Sequence, residues 1–166
     1  MSEKPGVFPH GNVEQISEDV FMVRGSINMN PVVRITRNMA IIREGGELTL
    51  INPLLVNEQV EAEILSLGSI THVMRLGAFH GVDDNYYVEK FSAKMWAQLG
   101  GTTYETPEIT DVLTEGGLLP FSNAQLIELS GSVQPECVLL VTVGNGLLLT
   151  CDGIQNYVDY SDFAFA

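Results

Sequence analysis

Positive charge is scarce in this chain. Its 166 residues include eight Lys and Arg against 21 Asp and Glu, a formal net charge of −13. Binding to a phosphate backbone draws on Lys and Arg releasing counterions, so nucleic acid is not an expected partner, and neither is an anionic membrane surface. No run approaches the roughly 18 consecutive apolar residues of a spanning helix. The opening MSEKPGVFPHGNVEQ lacks the apolar core of a secretory signal. The expected location is therefore cytoplasmic. Neither a P-loop, a dinucleotide glycine spacing nor G-x-S-x-G occurs, so those chemistries are set aside. Cysteine is limited to Cys137 and Cys151, on either side of VGNGLL. If Asn145-Gly146 forms a two-residue type I′ turn, Cys151 faces Leu140. Cys137, three residues from Leu140, then lies on the opposite face. That register excludes a disulfide and leaves two free thiols, as a reducing compartment allows.

What is present reads as a globular chain, 45% apolar and 17% charged. Its length suits one domain, residues 1–166, able to bury about two thirds of its unfolded surface. Residues 1–16, broken by Pro5, Gly6, Pro9 and Gly11, read as an N-terminal arm. Strands are expected over 20–24, 31–35 and 39–43, with a Gly45-Gly46 hairpin into 48–51 and a stop at Asn52-Pro53. Asn57 is placed to cap a helix over 57–67, in which Val60, Ile64 and Leu67 share a face and Gly68 is the stop. A buried strand over 70–76 follows. Val88, Phe91, Met95 and Leu99 then form the stripe of a helix over 84–99, stopped by Gly100-Gly101. A β region over 118–129 and a hairpin of 137–143 with 147–151 complete the pattern, which is that of an α/β layer protein with mixed sheets.

Three stretches carry a resemblance. VFMVRGSINMN…MAIIREGGELTLINP resembles the opening strands of the metallo-β-lactamase fold. ITHVMRLGAFHGVDD resembles its next strand and metal loop. LSGSVQPECVLLVTVGNGLLLTCDGIQN resembles the later hairpin that ends in a bridging aspartate. The resemblance implies a reduced metallo-β-lactamase-like αββα sandwich. Hydrolases of that family bind metal through His-x-His-x-Asp-His, a later His and the bridging Asp, and the metal lowers the pKa of a bound water to about 7. With His80 on the first histidine, Val82 takes the second, Asp84 the aspartate and Asn85 the third histidine. The later histidine falls near Ser132 or Val133, and Asp152 matches the bridging aspartate. The implied metal ligands are His80, Asp84 and Asp152, for one divalent ion (Zn, Mn or Fe) or for none.

Simpler roles compete for the same residues. Asp83 or Asp84 could cap the following helix, His80 could be a packed histidine, and Asp152 could shape its Asp-Gly turn. His72 reads as strand interior and His10 as part of the arm. Arg24, Arg34, Arg37, Arg43 and Arg75 stand at or near strand ends, where they could pair with carboxylates or converge on an anionic ligand. A shortened second half leaves apolar surface that another copy would cover, through the Phe8-Pro9 arm and the aromatic tail YVDYSDFAFA, so a homodimer is expected. Three functions stay open: a divergent, non-catalytic or small-molecule-binding protein that has lost most metal ligands; a mononuclear metal-dependent hydrolase of an ester, thioester or amide; and a structural homodimer or partner-binding domain.

Overall fold

The computed structural model describes residues 6–100 and 104–155, and the backbone of 163–165. The chain begins as an antiparallel meander of β1 (His10–Ser17), β2 (Val20–Asn28), β3 (Val33–Glu44) and β4 (Glu47–Ile51). Residues 10–16, expected as part of an arm, belong to β1, the edge strand of the large sheet, and the two expected strands over 31–35 and 39–43 are one continuous β3. Gly45 and Gly46 sit at φ +59° and +84°, which matches the handedness a two-residue hairpin turn requires.

From β4 the chain alternates helix and strand: α1 (Glu58–Leu67), β5 (Ser69–Met74), α2 (Asp84–Phe91), β6 (Lys94–Ala97) and the short β7 (Asp111–Val112). These strands add in parallel, giving the order β1-β2-β3-β4-β5-β6-β7. The cap of α1 is as expected, with Asn57 Oδ1 accepting from Val60 N at 2.9 Å. The second helix is shorter than expected. It ends at Phe91, Ser92 turns left-handed at φ +55°, and 94–97 is a strand in which Met95 and Trp96 are both buried.

A second, antiparallel sheet contains β8 (Ala124–Glu128), β9 (Cys137–Val141) and β10 (Leu147–Leu149), in the order β10-β9-β8. Its hairpin register differs from the expected one. Leu147 pairs with Val141, so residues 142–146 form the loop, with Gly144 and Gly146 both at positive φ. Both cysteines are free and buried. Strand β11 (Phe163–Phe165) pairs with the start of β3. The rest of the aromatic tail expected to cover apolar surface lies outside the described residues, as does 1–5 of the arm.

Alternation along each strand divides the core in two. Leu48, Leu50, Val73 and Met95 face the helices, packing on Val60, Ile64 and Tyr87. Ile51, Met74 and Trp96 face the other way, onto Leu126, Leu139 and Val141 of the small sheet. The layers are therefore helices, large sheet, small sheet. Each large apolar side chain buried in this way contributes about 1.5–3 kcal/mol. Among the described residues no helix covers the outer face of the small sheet. This arrangement brings the ends of β4, β5 and β10 together.

Candidate metal centre

The residue that joins these strand ends is Asn52. It is 3% exposed and sits at φ +49°, a left-handed conformation that Asn tolerates better than most residues. Its Oδ1 accepts from Leu76 N at 2.9 Å and its Nδ2 donates to Thr150 O at 3.4 Å. Asn52 thus ties the segment leading to His80 to the one leading to Cys151 and Asp152. On the small-sheet side, Cys137 N donates to Leu76 O at 2.9 Å, and Gly153 N donates to Glu136 Oε1 at 2.6 Å.

Across this junction His80 Nε2 lies 3.2 Å from Asp152 Oδ1, and Cys151 Sγ lies 3.7 Å from Asp152 Oδ2. One donor atom from each of His80, Cys151 and Asp152 falls within 4.8 Å of the others. The His80 and Asp152 side chains are 19% and 39% exposed, so the cluster is open to solvent on one side. The hydrogen bond from His80 holds the Asp152 carboxyl below its ordinary range, against the upward push of burial. Burial first, then the Asp152 and Glu136 charges, drive the Cys151 thiol far up. A cation among these groups would offset both the burial and the repulsion. His80 Nδ1 is buried with no hydrogen-bond partner among the described residues.

Two of the three residues taken from the resemblance, His80 and Asp152, meet here. Asp84 does not join them. Its side chain is fully buried, with Oδ2 3.1 Å from Arg75 Nε. This is ion contact without hydrogen-bond alignment, because neither carboxylate oxygen has an aligned donor. Burial pushes the Asp84 carboxyl up to about 7, against the opposing pull of Arg75 and Arg37. Helix capping is not its role either, nor that of Asp83. Asp83 occupies the cap position without a capping hydrogen bond, and its carboxylate instead accepts from Arg37 Nη1 at 2.7 Å. Four of the five arginines pair with carboxylates, Arg24 with Glu14 and Arg43 with Asp19 joining the two buried pairs, while Arg34 Nε donates to Asn28 Oδ1 at 3.2 Å.

The other histidines have local partners. His72 Nδ1 accepts from Trp96 Nε1 at 3.0 Å, and His10 Nε2 accepts from Asn57 N at 3.0 Å. Val133, near the position of the later histidine, is 97% exposed. The donor that sequence reasoning missed is Cys151. Its signal was adjacency to Asp152 in TCDG, while the cysteines were weighed only as a disulfide pair. A groove of about 730 Å³ between β7 and β8, lined by Leu99, Val112, Leu129 and Glu136 among others, contains none of the three donors.

No family model matches the chain, and no curated protein does. Solved structures do match. The DIM-1 metallo-β-lactamase superposes with a TM-score of 0.64 at 10% identity, over 81% of this chain and 66% of that one. A metallo-β-lactamase from Hirschia baltica gives 0.58 at 17%, over 79% and 67%. One from Erythrobacter litoralis gives 0.58 at 13%, over 81% and 63%. The chain spans about two thirds of the length of these structures. At such identities the likeness is one of fold, and the chain has the metallo-β-lactamase fold, as the three sequence stretches imply.

Proposed function

We propose that this chain binds one divalent metal ion through His80, Cys151 and Asp152 and acts as a mononuclear metal-dependent hydrolase of a small ester, thioester or amide. The observation that carries the reading is the convergence of three donors at one open end of the sheets. Three protein ligands and a free position are the usual arrangement of a catalytic zinc site. Zinc at ordinary bond lengths sets tetrahedral donors about 3.3–3.6 Å apart, within reach of the three donor atoms here, which lie within 4.8 Å of one another. With a thiolate in place of the Asp84 carboxylate, the donor set is softer and favours zinc over Mn or Mg. When bound, the ion supplies Lewis acidity and lowers the pKa of water.

The chain's own part is positional. Asn52 holds the two donor segments in register, and Glu136 anchors the turn after Asp152 through Gly153 N. Val82 and Asn85 stand where the resemblance puts the second and third histidines of the metal loop, which supports one ion rather than two. A second reading, a small-molecule binder without hydrolysis, is favoured by the groove of about 730 Å³ that lies away from the donors.

Elemental mass spectrometry on protein purified without chelators tests the site. Near-stoichiometric metal is expected, lost in His80→Ala, Cys151→Ser and Asp152→Ala. Hydrolysis of p-nitrophenyl acetate and of a simple acyl thioester, abolished by chelation and by His80→Ala, is expected if the site is catalytic. Metal without turnover moves the choice to the second reading, and a metal-free parent after reconstitution removes the site.

A further inference from the structure

The segment 75–83 that presents His80 is itself neither helix nor strand, and four charged side chains lie buried around it. Arg37 and Arg75 are 5% and 4% exposed, and Asp83 and Asp84 are 4% and 0%. Desolvating such groups offsets most of what their attraction contributes, so stability alone is a weak reason for them. Their geometry suggests another.

The Arg37 guanidinium makes three aligned hydrogen bonds, from Nη1 to Asp83 Oδ2 at 2.7 Å and from Nη2 to Pro53 O at 2.8 Å and His80 O at 3.0 Å. Pro53 follows Asn52, the residue bonded to both donor segments. Arg37 therefore fixes the backbone of His80 to the strand end that also fixes Cys151 and Asp152. The planar guanidinium reaches the carboxylate and the two carbonyls from two nitrogens held in a fixed fork; lysine, a single compact ammonium, does not reproduce that fork. Space around the loop is equally tight. A Cβ on Gly81, the residue after His80, would lie 2.5 Å from the Tyr104 ring and 2.6 Å from Arg75 Nη1.

We infer that Arg37, oriented by Asp83, is a positioning residue that sets where the His80 imidazole stands relative to Cys151 and Asp152. The inference rests on the metal-site reading above. Loss of such an outer partner weakens metal binding by about 10–100-fold where it has been measured in other sites, and an effect of that size is expected here.

The test compares the parent with Arg37→Lys, Asp83→Asn and a control, Arg43→Met, whose ion pair with Asp19 lies elsewhere. Zinc affinity is measured by competition with a chromophoric chelator. The visible spectrum of the Co(II)-substituted protein reports donor geometry, and circular dichroism reports folding. Arg37→Lys and Asp83→Asn should bind zinc about 10–100-fold more weakly, with shifted Co(II) bands, while Arg43→Met matches the parent. A merely structural role predicts lower melting temperatures with parent-like affinity and Co(II) spectrum in the folded variants, and that result overturns the inference. Asp83→Asn keeps shape and acceptor, so it decides the matter if Arg37→Lys fails to fold. A parent that binds no metal removes the metal-site reading and this inference together. A parent whose metal depends on His80 but not on Arg37 or Asp83 removes the inference alone.

Discussion

Replacing Asp84 with asparagine should make the protein more stable at neutral and alkaline pH, and less so as the solution is acidified. The Asp84 carboxyl titrates at about 7 in the folded chain against an ordinary value of 3.8, burial being the largest cause. A carboxyl raised in this way keeps its proton on folding where the unfolded chain has lost it. Its contribution to stability is full below about pH 4 and falls as pH rises through about 7. Three pH units at 1.36 kcal/mol each put the whole effect on the order of 4 kcal/mol, of which roughly 2.5 kcal/mol falls between pH 5 and 8. The amide in Asp84→Asn does not titrate, so the parent-minus-variant difference isolates the term. Urea unfolding followed by the fluorescence of Trp96, the single tryptophan and 8% exposed, would give that difference at each pH. In thermal melts each kcal/mol corresponds to about 2–4 °C for a chain of this size. The competing effect is the Arg75 guanidinium, whose Nε lies 3.1 Å from Asp84 Oδ2. If the difference stays flat from pH 5 to 8, the ion pair outweighs the burial and the carboxylate is charged throughout, which refutes the reasoning.

Two other perturbations follow from single contacts. Burial lowers the pKa of His72 from 6.5, and Nδ1, which accepts from Trp96 Nε1, is the atom that must take the proton. Trp96 fluorescence should therefore change with a midpoint below 6.5, and the transition should vanish in His72→Gln. The stability from this group is full above 6.5 and is lost as pH falls through the lowered value, so a midpoint above 6.5 contradicts it. Gly77→Ala places a methyl 2.5 Å from Cys151 Sγ. Overpacking of this kind costs about 1–3 kcal/mol, and Cys151→Ala in the same chain should relieve it in a double-mutant cycle read by urea unfolding. Additive effects would mean the loop gives way without pressing on the thiol.

The fold was legible where periodicity and local chemistry agree. Asn57 caps α1 because its side chain reaches a backbone N–H three residues on, which needs no distant partner. The error over 84–99 has a physical source. Val88, Phe91, Met95 and Leu99 are helically spaced, but Met95 and Trp96 are buried on opposite faces of the large sheet. A short strand buried on both faces cannot be told from a helix by spacing alone. In the site, His80 and Asp152 were legible from the order of motifs. Asp83 and Asp84 were not, because the partners that occupy them, Arg37 and Arg75, come from β3 and from the end of β5. Cys151 was missed because the two cysteines were weighed only as a disulfide pair, whereas its place beside His80 depends on how the end of the small sheet meets the loop after β5.

The exchange of Asp84 for Cys151 also bears on what the site can hold. One thiolate, one carboxylate and a neutral imidazole around a divalent ion would leave no net charge, so the proposed complex would sit at a half-buried junction without a stranded ion. Asp84 added as a fourth ligand to these three would leave one uncompensated negative charge, near Glu136, which is 7% exposed and already committed to Gly153 N. In this structure the Asp84 carboxyl faces Arg75 instead, within a buried group of two arginines and two aspartates. The loop between β5 and α2 thus carries two groups, His80 facing Cys151 and Asp152, and Asp83 and Asp84 facing Arg37 and Arg75. Arg37 bridges them, with one Nη on Asp83 and the other on His80 O. On this reasoning a substitution that loosens the inner group, such as Asp83→Asn, should be felt through Arg37 at His80 as weaker metal binding, even though it touches none of the three donors.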